Sequence, residues 1–358
     1  MSDGAPTTPL RVLCAGDAFI TPTVLAEAAR RHLGEHLEVV EHASRWPDEP
    51  FRAVDGVREA AGDPAELAAL AAGVDVLLTH LAPVTAAVLD AAGPGLRVVG
   101  SVRGGPVNID VAAATAAGVP VAYLPGRNLG AVAEFVVGTA VAGLRNVAAA
   151  SRQMADGVWD GSYFRYERCG PELSAATVGL VGLGAVGSRV AELLRAFGST
   201  VLALDPWADP TRAAELGVQL VELPELLGRS DVVSVHARLT DETRRMFDAG
   251  AFTAMRPGAY FVNTARGELV DTDALRAAVV DGHLGGAALD VFDPEPPAPD
   301  DPLLRHPAVI ATPHLAGASR QVALGSADRV AAAVGQLLRE GTLAHCANPD
   351  VLSTAREG

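Results

Sequence analysis

The stretch "TVGLVGLGAVGSRVAELLRAFGSTVLALD", residues 177–205, decides the architecture. It opens as an apolar strand, turns through Gly182, Gly184 and Gly187, continues as a helix, and closes on a second apolar strand ending in Asp205, 18 residues after Gly187. Gly182 permits the tight turn, Gly184 lets the backbone approach a pyrophosphate, and Gly187 lets helix and strand pack closely. The unpaired N–H groups of the helix N-terminus then face the phosphates. A carboxylate at Asp205 accepts hydrogen bonds from the adenosine ribose and repels a 2′-phosphate, so an NAD site rather than an NADP site is expected. In a chain with 37 glycines the spacing alone is weak. The register of strand, glycines, helix and acid carries the reading against a structural turn with Asp205 as a solvated cap.

The same rhythm extends in both directions. Downstream lie "DVVSVHA", "AYFVNTA", "AALDVF" and "VIAT"; upstream lie "RVLCAGD", "LEVVEHA", "VDVLLTH", "LRVVGSV" and "VPVAYLP", with helical stretches such as "PTVLAEAARRHL" and "VAAATAAG" between. The strands are continuous apolar runs rather than alternating ones, the pattern of parallel sheets covered on both faces. The chain therefore reads as two α/β domains, in keeping with its 358 residues. Residues 131–157, "AVAEFVVGTAVAGLRNVAAASRQMADG", read as one long helix, and residues 317–341 as another.

Charge and composition narrow the partners. A formal net charge of −15 argues against nucleic acid or an anionic membrane as a bulk partner, while leaving room for a small anion held by local cations. Three scattered cysteines, Cys14, Cys169 and Cys346, suggest neither a disulfide framework nor a zinc site, and no metal is expected. The N-terminus has neither a basic region nor a long apolar one, so a cytoplasmic protein is expected.

In an open parallel sheet, ligands bind beyond the carboxyl ends of the strands. Three strands of the second half end there in polar residues: "AYFVNTARG" delivers Arg266, "AALDVFDPEP" delivers Asp290 and Glu295, and "VIATPH" delivers His314. Oxidation of an alcohol needs a base for the hydroxyl proton, and histidine suits this near neutral pH. A paired carboxylate favours the imidazolium and orients the ring; an arginine grips a substrate carboxylate and polarises the adjacent carbonyl. Taken singly, each is equally well a loop or turn residue; their shared place at strand ends favours a joint role.

"VGLGAVG", "NTARGELVDTDAL", "GAALDVFDPEP" and "TPHLAG", in this order, together with "VVGSVRGGPVNIDVAAATAAGVPVAYLPGRN" and "AVAEF", resemble the D-isomer-specific 2-hydroxyacid dehydrogenase family over most of the chain. That family includes D-3-phosphoglycerate, D-lactate, formate and phosphite dehydrogenases. The resemblance implies two Rossmann-like or flavodoxin-like parallel-sheet domains with a cleft between them. The substrate domain would comprise residues 1–125 and 317–358, and the NAD-binding domain residues 126–316. It places the catalytic arginine on Arg266, the acid on Glu295, the acid/base histidine on His314 and the aspartate beside the nicotinamide amide on Asp290. It extends the cofactor-binding set of Gly182, Gly184 and Asp205 to Ala185, Val186, His236, Ala237, Thr264 and Ala265, and implies a homodimer formed through the cofactor domain.

Departures sharpen the substrate question. The loop that cradles the substrate carboxylate in relatives reads Arg103-Gly104-Gly105 here, with Val107 where many carry an aspartate. Arg103 therefore either meets a substrate with more than one negative charge or turns to solvent or a nearby acid. Arg238, where relatives usually have proline, either touches the cofactor or faces water. The end at Gly358 predicts the absence of the regulatory domain that many phosphoglycerate dehydrogenases carry. The expectation is an NAD-dependent dehydrogenase of a D-2-hydroxy acid, phosphorylated or otherwise dianionic. The alternatives are a dehydrogenase of a hydroxyalkylphosphonate or other phosphorus oxyanion, and a non-catalytic NAD sensor.

Overall fold

A computed structural model describes residues 9–354, which divide into two compact units: residues 9–127 with 318–354, and residues 128–317. The first contains strands β1 (Leu10–Gly16), β2 (Leu37–Ala43), β3 (Arg52–Val54), β4 (Val57–Ala60), β5 (Val76–Thr79), β6 (Val98–Ser101) and β7 (Val121–Ala122). Five of these form a parallel sheet in the order β2-β1-β5-β6-β7, and β3 and β4 make a separate antiparallel hairpin. The order reverses between β1 and β5, so the carboxyl ends of those two strands flank the switch point where such sheets open a crevice.

Small residues tie the C-terminal helix, Arg320–Glu340, into this unit. Its Ala327 and Ala331 are fully buried, as are Ala28 and Ala29 of the helix Pro22–Leu33, in one core with Val330 and Val334. A side chain at Gly100 on β6 would lie 2.9 Å from Val330 Cγ2 and 2.8 Å from Leu78, so only glycine lets this helix settle on the sheet.

The second unit contains β8 (Thr177–Val181), β9 (Thr200–Leu204), β10 (Val218–Leu220), β11 (Val232–Val235), β12 (Tyr260–Asn263), β13 (Gly286–Leu289) and β14 (Val309–Ala311). They form one parallel sheet in the order β10-β9-β8-β11-β12-β13-β14. Its switch point lies between β8 and β11. One face is filled by Phe247, Phe252 and Phe261, all buried, with ring centroids 4.9–6.0 Å apart; the other carries Val190, Ala191 and Leu194 of the helix Ala185–Phe197.

The single helix read over residues 131–157 is two, Leu129–Leu144 and Val147–Ala155, bent by 68°. Asn146 stands at the break with φ +56, a left-handed conformation that asparagine tolerates better than most residues. The bend is held from outside the helix. Asn146 Nδ2 donates to the Arg168 carbonyl at 3.3 Å, and Arg152 donates to the carbonyls of His306 and Val309 at 2.8 and 3.0 Å. Helical periodicity runs straight through Arg145-Asn146, so tertiary hydrogen bonds decide the break. Two further elements, the β3–β4 hairpin and edge strand β10, were not among the strands read from the sequence. Among the described residues no single helix is long and apolar enough to cross a membrane.

Candidate active site

In the second unit the glycine turn follows β8 directly. Gly182 has φ +101, and a Cβ there would sit 2.8 Å from the His236 carbonyl carbon at the end of β11. A Cβ on Gly187 would meet the Gly182 oxygen at 2.1 Å, so the helix can start this close to the strand only without one. Gly184, in contrast, faces open space. It is the N-cap of the helix Ala185–Phe197 and supplies no side-chain cap, leaving the first-turn N–H groups for an external acceptor. Open room beside Gly184 and an uncapped helix start suit a bound pyrophosphate. Ala185 is exposed and Val186 half-buried on that first turn.

Asp205, at the end of β9, accepts from Leu183 N at 2.8 Å and from Trp207 N at 3.0 Å, one hydrogen bond to each carboxylate oxygen. It therefore fixes the glycine turn as well as standing beside it, and each oxygen keeps capacity for a further donor. Past β11, His236 Nε2 lies 3.0 Å from Ser234 Oγ, and burial pushes the imidazole down to about 4, so it is neutral at physiological pH. Ala237 and Ala265 are half-buried, and the Thr264 Oγ1 is buried with no partner among the described residues, an orphaned polar atom beside β12. These features fit the NAD set read from the sequence. Arg238 is exposed, its carbonyl accepting from Thr243 Oγ1 at 2.7 Å.

The polar residues beyond β12, β13 and β14 are brought together. Asn263 staples the turn after β12, accepting from Ala265 N at 3.0 Å and donating to the Arg266 carbonyl at 2.9 Å. Gly267 next to it packs against the backbone beyond β13: a Cβ would lie 2.0 Å from the Phe292 carbonyl carbon. Arg266 thus stands against the loop that carries Glu295. Its exposed guanidinium donates to the Ala265 carbonyl at 2.7 Å.

Glu295 Oε1 accepts from Phe292 N at 2.9 Å, and Oε2 lies 2.9 Å from His314 Nδ1. Burial raises the carboxyl of Glu295, but the His314 hydrogen bond, the Phe292 N–H and the charges of His314 and Arg266 together hold it below its usual range. His314 is raised, first by that hydrogen bond, against the opposing effects of burial and Arg266, with the charges of Glu295 and Asp290 adding to the rise. Arg266 therefore acts electrostatically on both members of the pair. With Nδ1 engaged, Nε2 is the ring nitrogen left to exchange a proton with a ligand.

His314 has φ +52, and a buried carboxylate holds its loop in that conformation. Asp290 Oδ1 accepts from Thr312 Oγ1 at 2.6 Å and Leu315 N at 2.8 Å, and Oδ2 accepts from Ala316 N at 2.8 Å. The sequence reading set Asp290 beside the nicotinamide. In the structure its contacts bracket His314 on both sides, a loop-anchoring role that the sequence did not disclose.

In the first unit, Arg103 stands beyond β6, and its guanidinium pairs with the Glu59 side chain and donates to the Glu59 carbonyl at 3.2 Å. Of the two fates open to Arg103, the structure displays the nearby acid. Gly104 and Gly105 leave open space beside the loop: nothing lies within 4 Å of a Cβ at Gly105, and the nearest atom to one at Gly104 is 3.7 Å away. Three further polar residues gather at the same sheet edge. Asp17 follows β1, His80 follows β5, and Arg127 follows β7. His80 Nδ1 lies 2.5 Å from Asp17 Oδ2, and Arg127 Nη2 lies 3.3 Å from His80 Nε2. None of these three was singled out in the sequence, although polar residues ending parallel strands were the available signal.

Residues 137–316 match the family model described as "D-isomer specific 2-hydroxyacid dehydrogenase, NAD binding domain". The chain is 37% identical over 330 residues to D-3-phosphoglycerate dehydrogenase of Mycobacterium tuberculosis, covering 92% of this chain and 56% of that protein, so it spans little more than half of that relative's length. It is 35% identical to glyoxylate reductase of Thermofilum pendens, covering 88% of this chain and 91% of that one. The solved TT0316 protein of Thermus thermophilus superposes with a TM-score of 0.76 at 32% identity, covering 94% of this chain and all of that one. With the glycine turn, the Arg266 turn and the Glu295–His314 pair in place, these likenesses establish that the chain belongs to the D-isomer-specific 2-hydroxyacid dehydrogenase family and that residues 137–316 are its NAD-binding domain.

Proposed function

We propose that the protein is an NAD-dependent dehydrogenase of a D-2-hydroxy acid, with Arg266, Glu295 and His314 as its catalytic residues and a dianionic substrate as its best one. The observation that carries the catalytic part is the 2.9 Å contact between His314 Nδ1 and Glu295 Oε2, with the Arg266 charge felt by both. In the oxidative direction neutral His314 takes the substrate hydroxyl proton at Nε2, and the resulting imidazolium is stabilised by Glu295. Arg266 holds the substrate carboxylate and draws electron density from the reacting oxygen. NAD, when bound, supplies the hydride acceptor. The backbone of Gly184, Ala185 and Val186 holds its pyrophosphate, Asp205 its ribose, and the Thr264 hydroxyl and Ala265, His236 and Ala237 line its groove. Asp290 keeps an acceptor site for the nicotinamide amide while it anchors the His314 loop.

In this reading the first unit is the substrate domain, with Arg103, Gly104 and Gly105 in its anion loop. The dianionic preference is supported by the cations at that sheet edge and by the phosphorylated substrate in the name of the mycobacterial relative. Similarity to a glyoxylate reductase favours a second reading, a small monoanionic 2-oxo acid. A homodimer through the second unit is supported by its exposed aromatic side chains, Trp159, Phe164 and Tyr166, which are 81%, 90% and 91% accessible. The test is NADH absorbance with a panel of hydroxy acids, phosphorylated hydroxy acids and hydroxyalkylphosphonates. Turnover fastest with a dianionic 2-hydroxy acid is expected; turnover of none of them would point to an NAD sensor, and a monoanion preferred throughout would point to the second reading.

A further inference from the structure

Asp17, His80, Arg103 and Arg127 follow four strands that are consecutive in the sheet, β1, β5, β6 and β7, and the first two flank its switch point. This is where a parallel sheet presents a ligand crevice, and here it is furnished with two guanidinium groups.

The groups are wired in one direction. Asp17 is buried, its Oδ1 accepting from Phe19 N at 2.9 Å and Ile20 N at 3.0 Å, which leaves Oδ2 to take the His80 Nδ1–H. A proton on Nδ1 makes Nε2 an acceptor, and Arg127 Nη2 is the donor facing it. Phe19 and Trp46 pack edge-on against the His80 ring, with centroids 5.8 Å away in both cases, so the ring cannot swing to another partner. Asp17 therefore orients His80, and His80 orients Arg127. The Leu124 N–H donates to the Arg103 carbonyl at 2.7 Å, tying the β6 and β7 loops together.

Arg127 is the unusual member. Its Nη1 is buried without a hydrogen-bond partner, and among the described residues it forms no ion pair. Asp17 is occupied by other donors and Glu59 by Arg103. A buried donor without an acceptor is costly, more so when charged. Burial, reinforced by the nearby Arg103 charge, brings the guanidinium down to about 10, a measure of how poorly this surrounding solvates the cation. An arriving oxyanion would answer both deficits at once.

We propose that Arg127, positioned by the Asp17–His80 relay, is the oxyanion-binding residue of the first unit and holds the second anionic group of the substrate, a phosphate, phosphonate or carboxylate. This deepens the dianionic reading above and rests on it. Arg103 shares its charge with Glu59, and Arg127 is the cation that the ligand completes.

The test is isothermal titration of the full chain with inorganic phosphate and, separately, with tartronate and glycolate, which share a 2-hydroxy acid and differ by one carboxylate. Arg127→Gln keeps a donor toward His80 and loses the charge. It is expected to weaken phosphate and tartronate by roughly one to two decades, the scale of a charge-assisted hydrogen bond, and glycolate by less than about twofold. Arg127→Lys keeps the charge but not the fork and is expected to weaken phosphate by a smaller factor, roughly threefold to tenfold. Should the glutamine variant not fold, the lysine variant decides alone. The inference is overturned if wild type binds no phosphate, if either variant binds phosphate as wild type does, or if glycolate falls in step with tartronate. A dehydrogenase that preferred monoanions in turnover yet bound phosphate through Arg127 would instead overturn the dianionic reading and keep the oxyanion site.

Discussion

Two histidine–carboxylate pairs that stand just beyond the carboxyl ends of parallel strands, His314–Glu295 and His80–Asp17, behave in opposite ways. His314 lies 2.9 Å from Glu295 and its pKa is raised; His80 lies 2.5 Å from Asp17 and its pKa is lowered. The contacts are alike, so the surroundings decide. His314 keeps 44% of its side chain accessible, and the carboxylates Glu295 and Asp290 outweigh the Arg266 charge. His80 keeps 5%; burial dominates, and the charges of Arg127 and Arg103 add to it, against the Asp17 hydrogen bond and charge. A carboxylate partner by itself does not make a histidine a proton carrier. Access to water and the sign of the remaining neighbours do, which suits the first pair to chemistry and the second to holding an arginine in place.

The sharpest way to break this contrast is to remove His314. His314→Ala is expected to lower turnover by about two to four decades, the usual scale of general acid–base catalysis, with NADH binding retained because the glycine turn lies on other strands. Steady-state kinetics and fluorescence titration of NADH check the two halves. Turnover close to wild type would remove His314 from the mechanism and the contrast with it.

Glu295→Gln tests what the carboxylate contributes. The variant loses a charge-assisted hydrogen bond, so turnover should fall by roughly one to two decades. The sign on the pH axis follows from the raised pKa. Oxidation needs neutral His314 and rises as pH passes its pKa; reduction needs the imidazolium and falls there. Without the Glu295 charge that pKa drops, so both limbs should move to lower pH. pH–rate profiles in the two directions measure this, and limbs that stay in place or move upward contradict the assigned pair.

These predictions rest on residues that were legible in the sequence for a local reason. Arg266, Asp290 and His314 each follow their strand by a few residues, and Gly182, Gly184 and Gly187 sit in one turn, so a strand assignment was enough to place them. The Asp17–His80–Arg127 relay spans 110 residues and joins the ends of three strands, each with a polar residue that alone reads as loop. Only the order β2-β1-β5-β6-β7 brings them together. The rule of strand ends that points to Arg266 and His314 in the second unit points equally to these residues in the first. The bend at Asn146 and the anchoring of the His314 loop by Asp290 were beyond reach, because both depend on hydrogen bonds between residues that periodicity does not relate. Arg103 was found, but its pairing with Glu59 required the β3–β4 hairpin, which the strand pattern did not reveal.

A smaller effect is expected at the cofactor turn. Asp205→Asn keeps an acceptor for the Leu183 N–H, so the glycine turn should hold, while the charge facing a 2′-phosphate disappears. The preference for NAD over NADP should narrow by roughly a decade, the worth of one charge-assisted contact, through weaker NAD and better NADP. Catalytic efficiencies with both cofactors measure it. Equal efficiency of the wild type with NAD and NADP would mean that Asp205 serves the turn alone.

The smallest effect is a displacement of midpoints. In proton spectra the ring resonances of His314 should titrate above the ordinary histidine midpoint and those of His80 below it. Protonating His80 would put a second N–H at Nε2, directed at the Arg127 guanidinium 3.3 Å away, inside a site with 5% of its side chain accessible. The one favourable neighbour, Asp17, already has its remaining oxygen bonded to two backbone N–H groups, Phe19 and Ile20, and contributes less than burial and the two arginines remove. Arg127→Gln should release this hold in part, since the cation facing Nε2 is gone, and bring the His80 midpoint closer to the ordinary one. A His80 that titrates in the wild type with an ordinary midpoint would mean that the relay carries a proton, and its role would then be that of the first pair rather than its opposite.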